Sequence, residues 1–323
     1  MHIQTFMPFA IIHRTENDLP LVVLVDLKTK TEVSVLPSFG ALLHSFAVQM
    51  NEALFNIVDN YDSLEQIKNE LTVSHKSSKL SPFVCRIKEG KYSFAGTEYE
   101  FVNKFPDGSA IHGLLVKKAF DIIDESATDI SASVTMKYDY KKDDAGYPFD
   151  YRCTIKYQLK DNNILIVETK VINRGRDEMP LADGWHPYFK LGGKTDDWEL
   201  CFQSGQMIEF DDKLTPTGNL IPNKTFKKPE KIGSTVLDNC FLLEPFNGRP
   251  ACSLKNSSNG IELLFFPKDE YPYLQIYTPP NRKSIAIENL SSAPDSFNNG
   301  MGLTVLEPDK SHVFSLSYQI LVS

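Results

Sequence analysis

Alternation of apolar and polar residues constrains the middle of this 323-residue chain most strongly. In the segment Ser131 to Tyr140 every second side chain from Ala132 onward is apolar, and the same pattern returns from Tyr151 to Leu159. A turn-forming segment, Asp161-Asn162-Asn163, then precedes a further strand-like run at 164–172. An apolar residue at every second position means that one face of an extended chain can pack against a core. These segments therefore predict long antiparallel strands, the last two joined as a hairpin.

Strand signals continue along the rest of the chain without a regular alternation of strands and helices. Further short β runs, punctuated by Gly, Pro, Asn and Asp, lie at 31–36, 91–94, 261–266 and 273–277. The polar, turn-rich stretches 141–146 and 215–233 are predicted to be surface loops. Because no low-complexity linker or internal repeat is present, we predict an all-β fold, a large antiparallel β-sandwich that forms one domain over residues 1–323.

One segment has helical periodicity. Leu64, Ile67 and Leu71 share one helical face, and Ser63 with Gln66 has the spacing of a capping box. We predict a short helix there beside a sheet, and few other helices.

The charge of the chain limits its partners. Its 34 Lys and Arg against 42 Asp and Glu give a formal net charge of −8, whereas nucleic acids and anionic membranes attract clustered basic residues. No apolar run is long enough to span a bilayer. Residues 1–6 have no basic region followed by an apolar core, so we expect no signal peptide. We predict a cytoplasmic protein that binds a neutral small molecule, and neither nucleic acid nor membrane.

The cysteines do not indicate disulfides or a metal site. They are odd in number, widely spread and never spaced as a pair of metal clamps. We therefore expect reduced thiols, most of them buried. The five are Cys85, Cys153, Cys201, Cys240 and Cys252.

A histidine among aromatic rings is the first candidate for chemistry. In Trp185-His186-Pro187-Tyr188-Phe189 an extended backbone projects His186 and Tyr188 to one face, and Trp185 and Phe189 to the other. An imidazole at such a place can act as an acid or a base, and aromatic rings stack against the C–H faces of sugars. The alternative is a hydrogen-bonded histidine within an aromatic core patch.

Two further titratable residues are candidates for proton transfer. His112 precedes Gly113, which permits a turn or a close approach of the backbone to a ligand; the alternative is a loop histidine that caps a carbonyl. Glu288 shares a strand face with Ser284 and Ala286 and has no Lys or Arg near it in sequence on that face. It is either a general base or a solvated strand end.

Two charged residues lie within apolar stretches. Arg86 follows Phe83-Val84-Cys85, and Asp238 lies between Leu237 and the segment 239–241. Each is either a surface residue or a buried charge that must be paired or must bind something polar.

Taken in chain order, these segments resemble the aldose 1-epimerase (galactose mutarotase) family. The resemblance covers most of the chain and implies the family's large β-sandwich, with a sugar bound on a concave sheet face. The segments that carry it are 37–41, 86–99, 111–113, 146–149, 186–191, 237–241, 275–278 and 285–288.

The resemblance implies an isomerase that interconverts the α and β anomers of a free aldohexose such as galactose or glucose. It makes Glu288 the catalytic base, His186 the general acid, and His112 a second catalytic histidine that orients and polarises the sugar. Opening a pyranose hemiacetal requires loss of the C1 hydroxyl proton and gain of a proton at the ring oxygen, which suits such a pair. No redox change, metal or cofactor is needed.

The family pattern also implies substrate-binding residues, although the chain departs from it in places. The implied residues are Arg86, Asp238, Tyr188 and Gln275. The segment around His112 differs from the family's usual one, Cys85 stands where asparagine usually precedes the arginine, and Asn289 stands where proline is common. These changes leave the identity of the sugar open.

Two alternatives remain. A mutarotase-like enzyme could act on another sugar or a hexose phosphate, but phosphate needs clustered Arg or Lys, and Lys117 with Lys118 is the one pair near His112. A carbohydrate-binding module of the same fold would lack turnover. Because all three proton-transfer candidates are present, we favour an enzyme, and we expect it to be a monomer or a homodimer.

Overall fold

Strands dominate residues 7–323, the part of the chain that the computed structural model describes; the segment considered for a signal peptide lies outside it. In chain order they are β1 (Phe9–Glu16), β2 (Leu19–Asp26), β3 (Thr31–Leu36), β4 (Leu42–Met50), β5 (Ala53–Asn56), β6 (Ser78–Leu80), β7 (Arg86–Ile87), β8 (Lys91–Phe94), β9 (Thr97–Glu100), β10 (Ala110–Ile111), β11 (Asp121–Ala127), β12 (Ser131–Tyr140), β13 (Tyr151–Lys160) and β14 (Ile164–Asn173). They continue with β15 (Met179–Leu181), β16 (Gly184–His186), β17 (Tyr188–Phe189), β18 (Glu199–Phe202), β19 (Ser204–Phe210), β20 (Pro216–Pro222), β21 (Glu230–Lys231), β22 (Asp238–Leu243), β23 (Cys252–Asn256), β24 (Ile261–Pro267), β25 (Tyr273–Tyr277), β26 (Ile285–Leu290), β27 (Thr304–Leu306) and β28 (Ser311–Val322). The α-helices described are α1 (Leu64–Ser74) and α2 (Ser296–Asn299).

Two large antiparallel sheets form the frame. The first has nine strands in the order β11-β12-β13-β14-β28-β24-β23-β18-β21. The second has eight, in the order β20-β19-β22-β25-β26-β16-β6 with β17 also paired to β26. A five-stranded sheet, β1 to β5, follows the order of the chain, and three further ladders have two strands each.

The two large sheets pack face to face through aromatic rings. The ring of Phe189, on the eight-stranded sheet, lies 5.3 Å from that of Phe265 and 5.7 Å from that of Tyr318 on the other sheet. The ring of Trp185 lies 5.8 Å from that of Tyr157 in the same way. The buried rings join the sheets into one apolar core, and the prediction of an all-β sandwich is confirmed.

The predicted strands in the middle of the chain are confirmed. β13 and β14 pair from Tyr151 opposite Asn173 to Lys160 opposite Ile164, and each is one residue longer than its pattern predicted. Every second residue of β13 is buried. The period of two therefore corresponds to a face turned toward the core.

The prediction of a surface loop over 215–233 is wrong. This stretch contains β20, which pairs with β19, and β21, which pairs with β18. Both lie at sheet edges, and most of their side chains are exposed. Because an edge strand with polar residues lacks a buried face, its sequence shows no clear alternation. The stretch 141–146 is, as predicted, a loop between β12 and β13.

The helix predicted from Ser63 is confirmed and extends to Ser74. The Ser63 hydroxyl accepts a hydrogen bond from the Gln66 N–H, whereas the Gln66 side chain accepts from the N–H of Asp62 rather than of Ser63. Its buried residues Ile67 and Leu71 pack in a cluster with the five-stranded sheet. The apolar face thus fixes the helix beside the sheet.

Neither α-helix within residues 7–323 has the length and apolar character needed to cross a bilayer. All five cysteines are free thiols. Cys153, Cys240 and Cys252 are buried, and Cys85 and Cys201 are partly exposed.

A buried ion pair lies behind the strand that carries His186. Lys79, on β6, pairs with Asp183 just before β16, and both side chains are fully buried. The ammonium also lies 4.3 Å from the centre of the Trp185 ring, and Asp183 accepts a hydrogen bond from the Tyr271 hydroxyl at 2.7 Å. Burial lowers the pKa of Lys79 and raises that of Asp183, and the attraction between the two charges opposes both shifts. The pair therefore depends on both partners.

Removing one partner of this pair is expected to destabilise the fold strongly. Lys79→Met leaves the Asp183 carboxyl group buried without its counter-charge, and the free energy of unfolding should fall by about 3–5 kcal/mol. The double variant Lys79→Met/Asp183→Asn removes the charge and keeps an acceptor for Tyr271, so it should recover much of that loss. Urea unfolding of the three proteins measures the difference. A double variant as unstable as Lys79→Met would contradict the electrostatic account.

Candidate functional site

One cavity gathers all seven side chains that the sequence proposed for the site. It has a volume of about 520 Å³. It opens on the outer face of the eight-stranded sheet. On β26, Ile285 and Ile287 face the core between the sheets, whereas Glu288 faces the cavity. The seven are Arg86, His112, His186, Tyr188, Asp238, Gln275 and Glu288.

Strand register places the two main candidates opposite each other. Gly184 pairs with Leu290 and Tyr188 pairs with Ala286, so His186 stands across from Glu288. Pro187, which has no N–H, interrupts the ladder between β16 and β17.

The same row extends over neighbouring strands. Glu288 pairs with Gln275 of β25, Gln275 with Cys240 of β22, and His186 with Ser78 of β6. Side chains of one cross-strand row lie close enough to act together.

His186 and Glu288 form a close pair. The His186 Nε2 atom lies 3.4 Å from Glu288 Oε1, and both side chains are almost fully buried. The ring of Tyr188 stacks near that of His186, with centroids 5.2 Å apart. Trp185 and Phe189 belong to the core. The predicted division of residues 185–189 between two faces is confirmed, and the ring of Tyr188 lies beside His186 in the cavity wall.

His112 reaches the cavity from a loop behind a short ladder. Its N–H donates to the Cys85 carbonyl at 2.8 Å, and its backbone is left-handed with φ 60°. Gly113 follows with φ 76°, and a Cβ atom there would lie 2.4 Å from the Ser81 carbonyl oxygen. The predicted close approach therefore occurs against protein backbone. It places the His112 ring 4.8 Å from that of His186, nearly perpendicular to it.

Arg86 and Asp238 are partly buried and each has a polar partner. Arg86 pairs with the exposed Asp107 through its guanidinium. Asp238 accepts a hydrogen bond from the Gln275 amide at 2.9 Å. Burial raises the pKa of Asp238, while Arg86 and Gln275 oppose the increase.

The structure also places residues in the cavity that sequence reasoning missed. His75 lies at the end of α1, and Asp59 and Lys76 lie on either side of that helix in the sequence. Asp59 accepts a hydrogen bond from the Ser284 hydroxyl at 2.7 Å and pairs with the Lys76 ammonium at 3.2 Å. Only the helix signal marked this region in the sequence, because its polar residues have no recognisable motif.

Burial favours the uncharged form of the central groups. It raises the pKa of Glu288 well above its ordinary value, with a further contribution from the charge of Asp238. It lowers the pKa of His186 to about 3 and holds that of His112 well below its usual range, and neighbouring imidazoles add to both decreases. The cavity therefore holds a neutral carboxylic acid beside neutral imidazoles.

Several buried polar atoms of the cavity have no hydrogen-bond partner within the described part of the chain, residues 7–323. A buried polar atom without a partner costs free energy unless a bound molecule satisfies it. Their concentration in one place is typical of a cavity that binds a ligand with several hydrogen-bonding groups. The atoms are both ring nitrogens of His75, Nδ1 of His112 and of His186, Oε1 of Gln275 and Oε2 of Glu288.

Comparison with known proteins gives a consistent family. The sequence model of the aldose 1-epimerase family matches residues 23–319. The aldose 1-epimerase of Streptococcus thermophilus is 26% identical over 321 residues, covering 87% of this chain and 88% of that protein. An uncharacterized protein of Escherichia coli strain K12, YihR, is 28% identical over 255 residues, covering 75% of this chain and 78% of that protein.

Solved structures share the fold at low identity. A galactose mutarotase-like protein from Clostridium acetobutylicum superposes with a TM-score of 0.85 at 18% identity, covering 98% of this chain and 99% of that one. The galactose 1-epimerase of Lactobacillus acidophilus NCFM superposes with a TM-score of 0.80 at 18% identity, covering 98% and 100%. The β-sandwich is thus the mutarotase-like one.

The contact behind His112 can be tested with a matched pair of glycines. Gly113 and Gly96 have similar left-handed φ angles of 76° and 78°, but no atom of the described residues lies within 4 Å of the position of a Cβ on Gly96. Gly96→Ala should cost about 1–2 kcal/mol from backbone strain. Gly113→Ala should cost at least about 1 kcal/mol more, because the methyl group meets the Ser81 backbone. Equal urea midpoints for the two variants would contradict this account.

Burial of the Glu288 carboxyl group is expected to lower the free energy of unfolding at neutral pH. The unfolded carboxyl ionises above its ordinary pKa near 4.5, whereas the folded one stays protonated to a much higher pH. Wild-type protein should therefore lose about 1.4 kcal/mol of unfolding free energy per pH unit through that interval, relative to Glu288→Gln. Urea unfolding of both proteins from pH 4 to pH 8 measures the difference. Parallel curves would show that the carboxyl has no raised pKa.

Proposed function

The chain belongs to the aldose 1-epimerase family, and on that premise we propose that it is a mutarotase. It interconverts the α and β anomers of a free aldohexose such as galactose or glucose by acid/base opening of the ring. The observation that carries the proposal is the buried His186 and Glu288 pair, 3.4 Å apart in the cavity. Such a pair can hold one proton and move it.

The resting pair holds the proton that the reaction needs. A protonated Glu288 beside a neutral His186 has the same number of protons as a Glu288 carboxylate beside a His186 imidazolium. Transfer between the two atoms therefore converts one form into the other without exchange with solvent. Burial favours the uncharged form, and the charged form is the one that starts ring opening.

Ring opening uses both partners at once. The Glu288 carboxylate removes the proton from the C1 hydroxyl, and the His186 imidazolium gives its proton to the ring oxygen as the C1–O5 bond breaks. The product is an open-chain aldehyde beside a neutral carboxylic acid and a neutral imidazole. Opening thus returns the site to the charge state that burial favours.

Reclosure reverses the roles. The aldehyde turns about the C1–C2 bond, His186 takes the proton of the C5 hydroxyl, and Glu288 returns a proton to the former carbonyl oxygen. Attack on the other face of the carbonyl carbon gives the other anomer. The enzyme regains its starting protonation, as a catalyst must.

The remaining residues hold the sugar. We assign the ring hydroxyls to Arg86, Asp238 and Gln275, which offer a cation, an acceptor and an amide. Tyr188 provides an aromatic surface for the C–H face of the pyranose. His112, next to His186, polarises the sugar oxygens as a neutral donor.

The charges around the cavity support a neutral sugar over a hexose phosphate. Among the described residues that line it, the two cations are Lys76 and Arg86, and each is already paired with an aspartate. Lys118 pairs with Asp143 at 2.6 Å, and Lys117 is exposed outside the lining. A phosphate would lack the cluster of free cations that it needs.

The acid/base pair also favours an enzyme over a module that binds sugar without turnover. A binding module gains nothing from a buried carboxyl beside an imidazole, and each costs stability when buried. The cytoplasmic location, the oligomeric state and the single domain over residues 1–323 stay predictions.

Loss of the carboxyl should abolish catalysis. Glu288→Gln keeps a similar shape but cannot take the C1 proton, and His186→Asn cannot deliver one, so each should lower kcat by at least about a hundredfold. Polarimetry or NMR saturation exchange on freshly dissolved α-glucose and α-galactose measures the rate. The exposed Glu168 on β14 provides the control Glu168→Gln, expected to act like wild type.

Two results would count against the proposal. A wild-type protein that leaves anomerisation at its spontaneous rate for a broad panel of free aldoses would remove the enzymatic function. A Glu288→Gln protein with wild-type activity would remove Glu288 as the base while leaving the family assignment intact.

A further inference from the structure

A third imidazole adjoins the two used in the mechanism. The ring of His75 lies 4.7 Å from that of His112, which lies 4.8 Å from that of His186. The wall of the cavity therefore runs from Glu288 through His186 and His112 to His75. The far side of the His75 ring faces Phe105, 6.0 Å away.

The ring nitrogens of His75 are poorly satisfied among residues 7–323. Its residue is 4% exposed, the Thr72 carbonyl lies near the ring, and neither ring nitrogen makes a hydrogen bond of normal geometry. A neutral imidazole has one donor and one acceptor, and a buried histidine with a purely structural role normally satisfies them. The Thr72 carbonyl can serve one ring nitrogen at most. Since the side chain lines the cavity, a bound molecule is the available partner for the other.

The backbone holds His75 in place from both sides. It follows the last turn of α1 with φ 49° and ψ 25°, its N–H donates to the Leu71 carbonyl, and its carbonyl accepts from the Ser78 N–H, each at 3.0 Å. The left-handed conformation costs free energy in any residue but glycine. The end of α1 and the segment before β6 stabilise this conformation and so fix the position of the His75 ring.

The three imidazoles are not arranged around a metal. Within residues 7–323, no group of three or more His, Cys, Asp or Glu side chains has the geometry to hold a metal ion. Hydrogen bonding is then the chemistry that the free nitrogens of His75 offer.

We propose that His75 is a substrate-binding residue that hydrogen-bonds a sugar hydroxyl remote from the anomeric carbon. The inference rests on the proposed function. The acid/base pair meets O1 and O5, and the imidazole that His75 adjoins is that of His112 and not that of His186. Its partner is therefore a hydroxyl on another carbon of the pyranose, and His75 helps decide which aldoses are accepted.

A neutral His75 suits this role. Burial lowers its pKa to about 4, the charge of Lys117 adds to the decrease, and the Thr72 carbonyl opposes it. The neutral ring can donate to one sugar oxygen or accept from another. An imidazolium at this position would also oppose the positive charge on His186 that ring opening requires.

The test removes the hydrogen bond while keeping the ring. His75→Phe preserves an aromatic surface, His75→Asn preserves a donor and an acceptor in a residue that tolerates left-handed backbone, and His13→Phe is a control at an exposed histidine on β1. Anomerisation is measured by NMR saturation exchange for glucose, galactose and a set of monodeoxy analogues that each lack one ring hydroxyl. Circular dichroism and urea unfolding check that each variant folds.

We expect His75→Phe to raise KM at least about tenfold with a smaller effect on kcat, and His75→Asn to recover part of that loss. For one deoxy sugar, the KM of wild type should rise by a similar factor, whereas the KM of His75→Phe should not rise further. A residue with a purely structural role would not remove the discrimination against a single deoxy position.

The outcomes separate this inference from the proposed function. A wild-type protein inactive on every aldose overturns both. An active wild type whose KM and deoxy-sugar discrimination are unchanged in His75→Phe overturns the role of His75 alone. If His75→Phe does not fold, His75→Gly decides, because glycine removes the ring and suits the left-handed backbone of this position. Unchanged KM and unchanged deoxy-sugar discrimination in His75→Gly also overturn the role.

Discussion

The site depends on the antiparallel register between β16 and β26. That register sets His186 across from Glu288 and extends the row to Gln275 and Cys240. Because side chains alternate between faces, a slip of one residue would turn Glu288 into the apolar core between the sheets and turn its isoleucine neighbours toward the cavity. Aromatic packing between the two large sheets favours this register. The same contacts that stabilise the sandwich therefore also align the proposed acid and base.

Burial has opposite consequences on the two faces of the eight-stranded sheet. On the inner face it stabilises apolar rings such as Trp185 and Phe189. On the outer face it keeps Glu288 and the imidazoles uncharged and leaves their polar atoms without partners. In the proposed mechanism, a pair that rests in its uncharged form resembles the state reached after ring opening. The stability lost there is consistent with a site that a polyhydroxyl ligand completes.

Elements outside the main frame complete the cavity. His112 stands on a left-handed turn behind the β7 and β10 ladder, and His75 stands on another at the end of α1. Gly113 allows the first turn to contact the backbone at Ser81, and the buried face of α1 anchors the second. Small local structures thus bring imidazoles from distant parts of the chain to one wall.

The sequence alone determined the strands with one buried face, the helix from Ser63, and the two-sided division of residues 185–189, because period and capping are local properties. It missed the edge strands within 215–233, whose polar residues have no buried face to reveal them. With a family resemblance it also proposed seven site residues. Only the tertiary structure decided that these seven share one cavity, that His186 meets Glu288 at 3.4 Å, and that His75 joins them, because cross-strand register and loop docking depend on contacts between residues far apart in the chain.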